Sequence, residues 1–143
     1  MLLEKEVGEV ASLATVNGVG PDGAQKLRAA GIRTTHSLLG KGATRQGRKE
    51  ISAQSGLTEA QVLQLVNHAD LFRIRGVGRE YVELLEAAGV ATVVDLSLRT
   101  AESLHQKLVK VNQKRRLVRK VPTLTQVRIW VASAKQLPRA VKY

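Results

Sequence analysis

The sequence predicts an all-α protein made of two tandem copies of one helical unit, packed as one compact helical domain. Three observations predict it. First, sliding the chain on itself by 58 positions aligns Val16-Asn17-Gly18-Val19-Gly20 with Ile74-Arg75-Gly76-Val77-Gly78, and the match continues without a gap through Leu38 and Leu96. Ala29-Ala30-Gly31-Ile32 falls on Ala87-Ala88-Gly89-Val90, and at an offset of 65 Thr58, Val62, Val66 and Ala69 meet Thr123, Val127, Val131 and Ala134. Second, no stretch alternates apolar and polar residues long enough to make a strand. Third, glycine and threonine punctuate each copy at the spacing of helix ends. The change of offset means that about seven residues are inserted in the second copy, between Thr100 and Pro122.

The elements follow in order. Residues 1–12 are expected to form an N-terminal helix, 13–72 the first unit and 73–143 the second, which carries a basic C-terminal segment. In the first unit Pro21 sits where a helix can begin without its N–H, and Gly31 supplies the left-handed turn that ends it. Thr34 caps a short helix, Thr44 starts the next and Gly56 stops it. Thr58-Glu59-Ala60-Gln61 has capping-box spacing for a helix that turns Val62, Leu65, Val66 and Ala69 inward. The second unit replays this: Gly89 terminates, Thr92 and Thr100 start helices, and Pro122 precedes a last helix with Val127, Trp130 and Val131 on its core face.

The charge is uneven. The whole chain of 143 residues carries a formal +11. Residues 1–12 contribute −2, residues 13–72 contribute +3 and residues 73–143 contribute +10. After Glu102 no acidic residue occurs, while eleven basic ones follow. A body so positive favours a polyanionic partner. The absence of cysteine excludes disulfides, thiolate metal sites and cysteine nucleophiles. His36, His68 and His105 show no metal-ligand spacing, so no metal and no cofactor is expected. No apolar run approaches the ~18 residues of a membrane span, and there is no signal segment, so the expected location is the cytoplasm and no membrane partner is expected.

Two segments carry the candidate chemistry. The pattern of an apolar residue, a spacer and Gly-apolar-Gly before an amphipathic helix, at 16–20 and 74–78, resembles the helix-hairpin-helix motif. Its glycines allow a tight turn and close backbone approach, and the following helix offers free N–H groups at a positive dipole end. The resemblance implies a grip on nucleic-acid phosphates with little sequence preference. Gly18, Val19, Gly20 and Lys26 are the candidates in the first unit. In the second, Arg75 and Arg79 stand against Glu80, Glu83 and Glu86, so only that basic corner is retained. The other segment follows Thr100. Lys107, Lys110 and Lys114 fall on one helical stripe beside Leu104, Leu108 and Val111. Because a continued helix would turn Arg115 onto the apolar side, the helix is expected to end near Gln113. Lys114, Arg115, Arg116, Arg119 and Lys120 then form a basic corner before Pro122.

Other residues read as structural. His68 and Asp70 lie too close in sequence to share a helix face, and Trp130 has core spacing. With few aromatics, a stacking platform for single strands is not expected. No P-loop, paired-carboxylate cluster or nucleophile with a base is present, so the chain is expected not to be an enzyme. Helix-hairpin-helix glycosylases need a larger domain with a catalytic Asp after the hairpin, a context this chain lacks.

Longer stretches extend the resemblance: Gly-Ile-Arg-Thr-Thr at 31–35, Gly-Ala-Thr-Arg-Gln-Gly-Arg at 42–48, Val-Asn-His-Ala-Asp-Leu-Phe-Arg-Ile-Arg-Gly-Val-Gly at 66–78, Leu-Glu-Ala-Ala-Gly-Val at 85–90, Val-Arg-Lys-Val-Pro at 118–122 and Ala-Lys-Gln-Leu-Pro at 134–138. Together they resemble a prokaryotic domain-of-unknown-function family with tandem helix-hairpin-helix character. Its wider relatives, repair nucleases and the C-terminal domain of a polymerase alpha subunit, bind DNA or proteins through this fold. The expectation is a non-catalytic module that contacts phosphates, with duplex DNA as the favoured ligand. The alternative is an adaptor that docks an acidic protein. The sequence leaves oligomeric state open.

Overall fold

The computed structural model describes residues 20–143, and every regular element among them is an α-helix. In order these are α1 (Gly20–Ala29), α2 (Thr35–Lys41), α3 (Arg45–Ser55), α4 (Glu59–Leu71), α5 (Arg79–Ala87), α6 (Val93–Ser97), α7 (Ala101–Arg115) and α8 (Leu124–Gln136). The duplication is visible in these bounds. α2 and α6 begin 58 positions apart, and α4 and α8 match at both ends at the offset of 65. The inserted residues are shared between two places. α7 has 15 residues where α3 has 11, and residues 116–123 span a gap that 56–58 bridges in the first copy.

Threonine sets most helix starts because its hydroxyl accepts a backbone N–H that the first turn cannot pair internally. Thr34 makes a reciprocal capping box with Ser37, Thr92 with Asp95 and Thr123 with Gln126. Thr58 does the same with Gln61, at 2.9 and 3.1 Å. Thr100 departs from the pattern: it is the N-cap of α7, but its side chain makes no capping bond. At the other ends, Gly31, Gly56 and Gly89 adopt left-handed φ values of 83°, 82° and 90°. One boundary differs from the sequence expectation. α7 does not stop near Gln113 but runs to Arg115, which is exposed because Leu108 is the last fully buried residue of the helix and the final turn projects past the core.

The chain divides into two compact units, one comprising the described residues to Asp70 together with Ala140–Tyr143, the other Leu71–Arg139. In the second unit α6 and α7 pack on α8, and α5 packs on α7. They enclose a continuous core that includes Leu71, Val82, Leu85, Leu96, Leu104, Leu108, Val127 and Trp130. In the first unit α1 and α2 pack on α3, with Leu27, Ile32, Leu38, Ile51, Val62 and Val66 buried.

Arg48 ties the last four residues into the first unit. Its guanidinium, on α3, is only 5% exposed and donates to the carbonyls of Gly42 (2.9 Å), Ala43 (3.2 Å) and Lys142 (2.8 Å). The Lys142 amide in turn donates to Ala43 O at 2.7 Å, Val141 is buried, and Arg48 Cζ lies 6.0 Å from the Tyr143 ring centroid. Carbonyl oxygens thus solvate a buried cation; without it Gly42 O and Lys142 O would lose this donor, while Ala43 O would keep the Lys142 amide. Arg48→Met is expected to lower stability by about 2–4 kcal/mol, since it strands buried carbonyls that accepted charge-assisted bonds. Urea unfolding of the full chain measures it. A shift below about 0.5 kcal/mol, the range of ordinary surface substitutions, would contradict the role given to Arg48.

Candidate functional site

In the second unit the segment between α4 and α5 makes two successive tight turns. Ile74 N donates to Leu71 O at 3.1 Å and Val77 N to Ile74 O at 3.0 Å. Ile74 and Val77 are 1% and 4% exposed, so they pin the turn while Arg75, Gly76 and Gly78 stay outside. Gly76 has φ 91°, a backbone state that costs an L-residue ~1–2 kcal/mol. A methyl there would also lie 3.3 Å from Trp130 Nε1, so the indole forms the floor of the turn. Gly78 is extended and is the N-cap of α5, with no side-chain bond over the first-turn N–H groups. Arg79 and Glu80 are both exposed at that helix start.

The corresponding turn of the first copy lies partly outside the described residues, which exclude Gly18 and Val19 as well as the N-terminal helix expected at 1–12. Gly20 opens α1. Lys26 is exposed but sits in the last turn of that helix, together with Arg28. At ~1.5 Å per residue it is about 9 Å along the axis from Gly20, at the end of the helix where the dipole is negative.

α7 carries the basic stripe. Lys107, Lys110 and Lys114 are exposed, while Leu104 and Leu108 are buried on the adjacent face. Contacts at the two ends of α5 orient it. Lys107 Nζ comes within 3.8 Å of where a Cβ on Gly89 would stand, at the C-terminal end of α5. At the N-terminal end, the Tyr81 hydroxyl donates to Lys120 O at 3.1 Å. α7 and the loop after it therefore run back along α5, a helix of nine residues and about 13 Å. They deliver Arg119 and Lys120, both exposed, to the end of the unit where Arg75, Gly76, Gly78 and Arg79 lie. Arg115 and Arg116, also exposed, start that loop.

Asn112 shapes the loop by bracketing Val118, whose N–H donates to Asn112 Oδ1 at 3.0 Å while Asn112 Nδ2 donates to Val118 O at 3.1 Å. Arg116 caps α7 in a left-handed conformation with φ 48°, and its N–H donates to Asn112 O at 2.8 Å. Gly56 fills the same role after α3. The second copy thus keeps an arginine where the backbone favours glycine.

Among the described residues, Lys107, Lys110, Lys114, Arg115, Arg116, Arg119 and Lys120 form no ion pair. Arg128 differs, because it bridges Glu102 at 3.2 Å on the exposed surface. A hydrogen bond with the Glu102 backbone, and then the Arg128 guanidinium, hold the Glu102 carboxyl below the usual carboxylate range. The last acidic residue in the sequence is thereby matched to Arg128, and the seven cations from Lys107 to Lys120 have no ion-pair partner among the described residues. His68 and Asp70 are buried on α4. Trp130 is 3% exposed, with its ring centroid 5.1 Å from that of Tyr81 at 57°. Among the described residues no group of three or more His, Asp or Glu could hold a metal ion, and no helix is long and apolar enough to cross a membrane.

Sequence reasoning missed Tyr81 and Asn112. Tyr81 matches Gly23 in the first copy, so the repeat gave no cue, and Asn112 lies in the stretch where the copies diverge most.

The chain, helical in every regular element of its described residues, matches a family model. It covers residues 17–137 and is described as Domain of unknown function (DUF4332), and the chain belongs to that family. No solved structure matches it.

Arg116→Gly is expected to raise stability by about 1 kcal/mol by removing the left-handed penalty, and Gly76→Ala to lower it by about 1–2 kcal/mol. Thermal unfolding of both variants checks the signs. A lower midpoint for Arg116→Gly would mean that the arginine side chain contributes more than its backbone costs.

Proposed function

We propose that this chain is a non-catalytic nucleic-acid-binding module that grips phosphates, with duplex DNA as the favoured ligand and little preference for sequence. The reading treats each Gly-apolar-Gly turn and the helix after it as a helix-hairpin-helix. The observation that carries it is the Tyr81–Lys120 hydrogen bond, which holds an unpaired basic loop at the same end of α5 as an exposed glycine turn and an uncapped helix start. Backbone N–H groups at a helix N-terminus and mobile cations beside them suit a phosphodiester, and neither reads a base edge. Three acids on α5, Glu80, Glu83 and Glu86, oppose an anion along the rest of that helix, so the contact falls on the turn, the loop and the α7 stripe. The working location in this reading is the cytoplasm.

An adaptor for an acidic protein has less support. Leu98 and Ile129 are exposed large apolar residues of the second unit, but isolated ones are common on soluble surfaces.

Binding by about six phosphate contacts should weaken roughly a thousandfold between 50 and 200 mM salt through counterion release. Fluorescence anisotropy with an arbitrary labelled duplex measures the slope, with single-stranded DNA and an unrelated acidic protein as competitors. The combined variant Lys107→Glu, Lys110→Glu, Lys114→Glu is expected to abolish binding while leaving the helical circular dichroism intact. Unchanged affinity in that variant would remove α7 from the interface, and no wild-type binding at 50 mM salt would end the nucleic-acid reading.

A further inference from the structure

The helix ends at Gly31 and Gly89 are built alike. Ala30 N donates to Leu27 O, Gly31 N to Arg28 O and Ile32 N to Leu27 O, and the same three bonds recur 58 positions later from Ala88, Gly89 and Val90 to Leu85, Glu86 and Leu85. In both copies the backbone itself satisfies the last carbonyls of the helix, in the manner of a Schellman turn. Yet a cation reaches each turn from ten residues further on. A methyl at Gly31 would lie 3.3 Å from Lys41 Nζ, and one at Gly89 would lie 3.3 Å from Arg99 Nη2. Lys41 and Arg99 are themselves 58 positions apart, so the arrangement is part of the duplicated design.

At Gly89 there is a second cation. Lys107 Nζ lies 3.8 Å from the same point, so an ammonium and a guanidinium converge on one turn. Arg99 uses one donor on Gly89 O, at 3.1 Å. Its remaining N–H groups and the three of Lys107 are more than the turn can use. Neither side chain is in an ion pair with a described residue. Of the nearby acids, Asp95 is committed to the Ala91 and Thr92 amides at the start of α6, and Glu86 is half-buried with an interaction of its own. Two cations held beside one turn, with N–H donors left over and no ion-pair partner among the described residues, suit an oxyanion placed between them.

We infer that Arg99 and Lys107 form a phosphate-binding subsite at the Gly89 turn, with Lys41 at Gly31 as its single-cation counterpart in the first unit. The inference rests on the nucleic-acid reading for the source of the phosphate, a strand backbone. It places a contact at the C-terminal end of α5, opposite the glycine turn at 74–78, so the α7 stripe of Lys110 and Lys114 lies between two anchoring points.

Two measurements on the full chain test it. In a nitrogen–proton NMR titration with inorganic pyrophosphate, the Gly89 and Val90 amides are expected to shift saturably, to lose that response in Arg99→Gln, and to keep it in Arg99→Lys, which installs the residue type of the first copy. If Arg99 only supports the turn, Arg99→Gln would lower the melting temperature and leave the pyrophosphate response of Lys107 unchanged, and the subsite is rejected. In duplex titrations Arg99→Gln should reduce the slope of log affinity against log salt by about one. An unchanged slope, in a protein whose Lys110→Glu, Lys114→Glu variant does lose affinity, would overturn the subsite and leave the duplex reading standing. Saturable pyrophosphate shifts at Gly89 in a protein that binds no duplex would do the reverse.

Discussion

The indole of Trp130 is where three parts of the second unit meet. Nearly all of its surface is removed from water, which makes it a large single contribution to that core. Its Nε1 lies under Gly76, so the turn at 74–78 closes against it, and its ring packs on Tyr81, so the first turn of α5 is set by it as well. The Tyr81 hydroxyl then fixes the loop through Lys120. A glycine turn, a helix start and a basic loop that are distant in sequence are thereby referred to one side chain on α8. This is why a residue with no plausible contact to a ligand matters for the candidate surface.

Packing and charge are separated in the second unit. α7 buries Leu104 and Leu108 against its neighbours and exposes Lys107, Lys110 and Lys114, so the fold gains from one side of the helix without neutralising the other. The loop that follows is held by Asn112 and Tyr81 instead of by ion pairs. Keeping Arg116 in a left-handed conformation, where the first copy has Gly56, retains local strain in a segment, 114–120, whose charged residues are all basic. The first unit shows the contrast. Its buried cation, Arg48, donates to three carbonyl oxygens and lies against the Tyr143 ring, so its charge is engaged inside the unit.

Much of the fold was legible because its signals are local. Thr34, Thr58, Thr92 and Thr123 cap helices through bonds that reach only three residues, and Gly31, Gly56 and Gly89 end them through φ values that little else tolerates. The candidate cations were legible as well, since Lys107, Lys110 and Lys114 share a helical stripe by spacing alone. The end of α7 was not. Its last turn needs no core, and Asn112, six residues from Val118, decides where the chain turns.

What the sequence by itself determined is the helical class, the duplication, most helix ends and the concentration of positive charge after Glu102, because each depends on residues within a few positions of one another or on composition. Only the tertiary structure decided which of those cations are close in space. Arg99 and Lys107 converge on Gly89, Arg119 and Lys120 reach the start of α5, and residues 140–143 return to Arg48 across more than ninety positions. Those placements follow from which helix faces bury against each other, and a periodic pattern identifies a face without naming its partner.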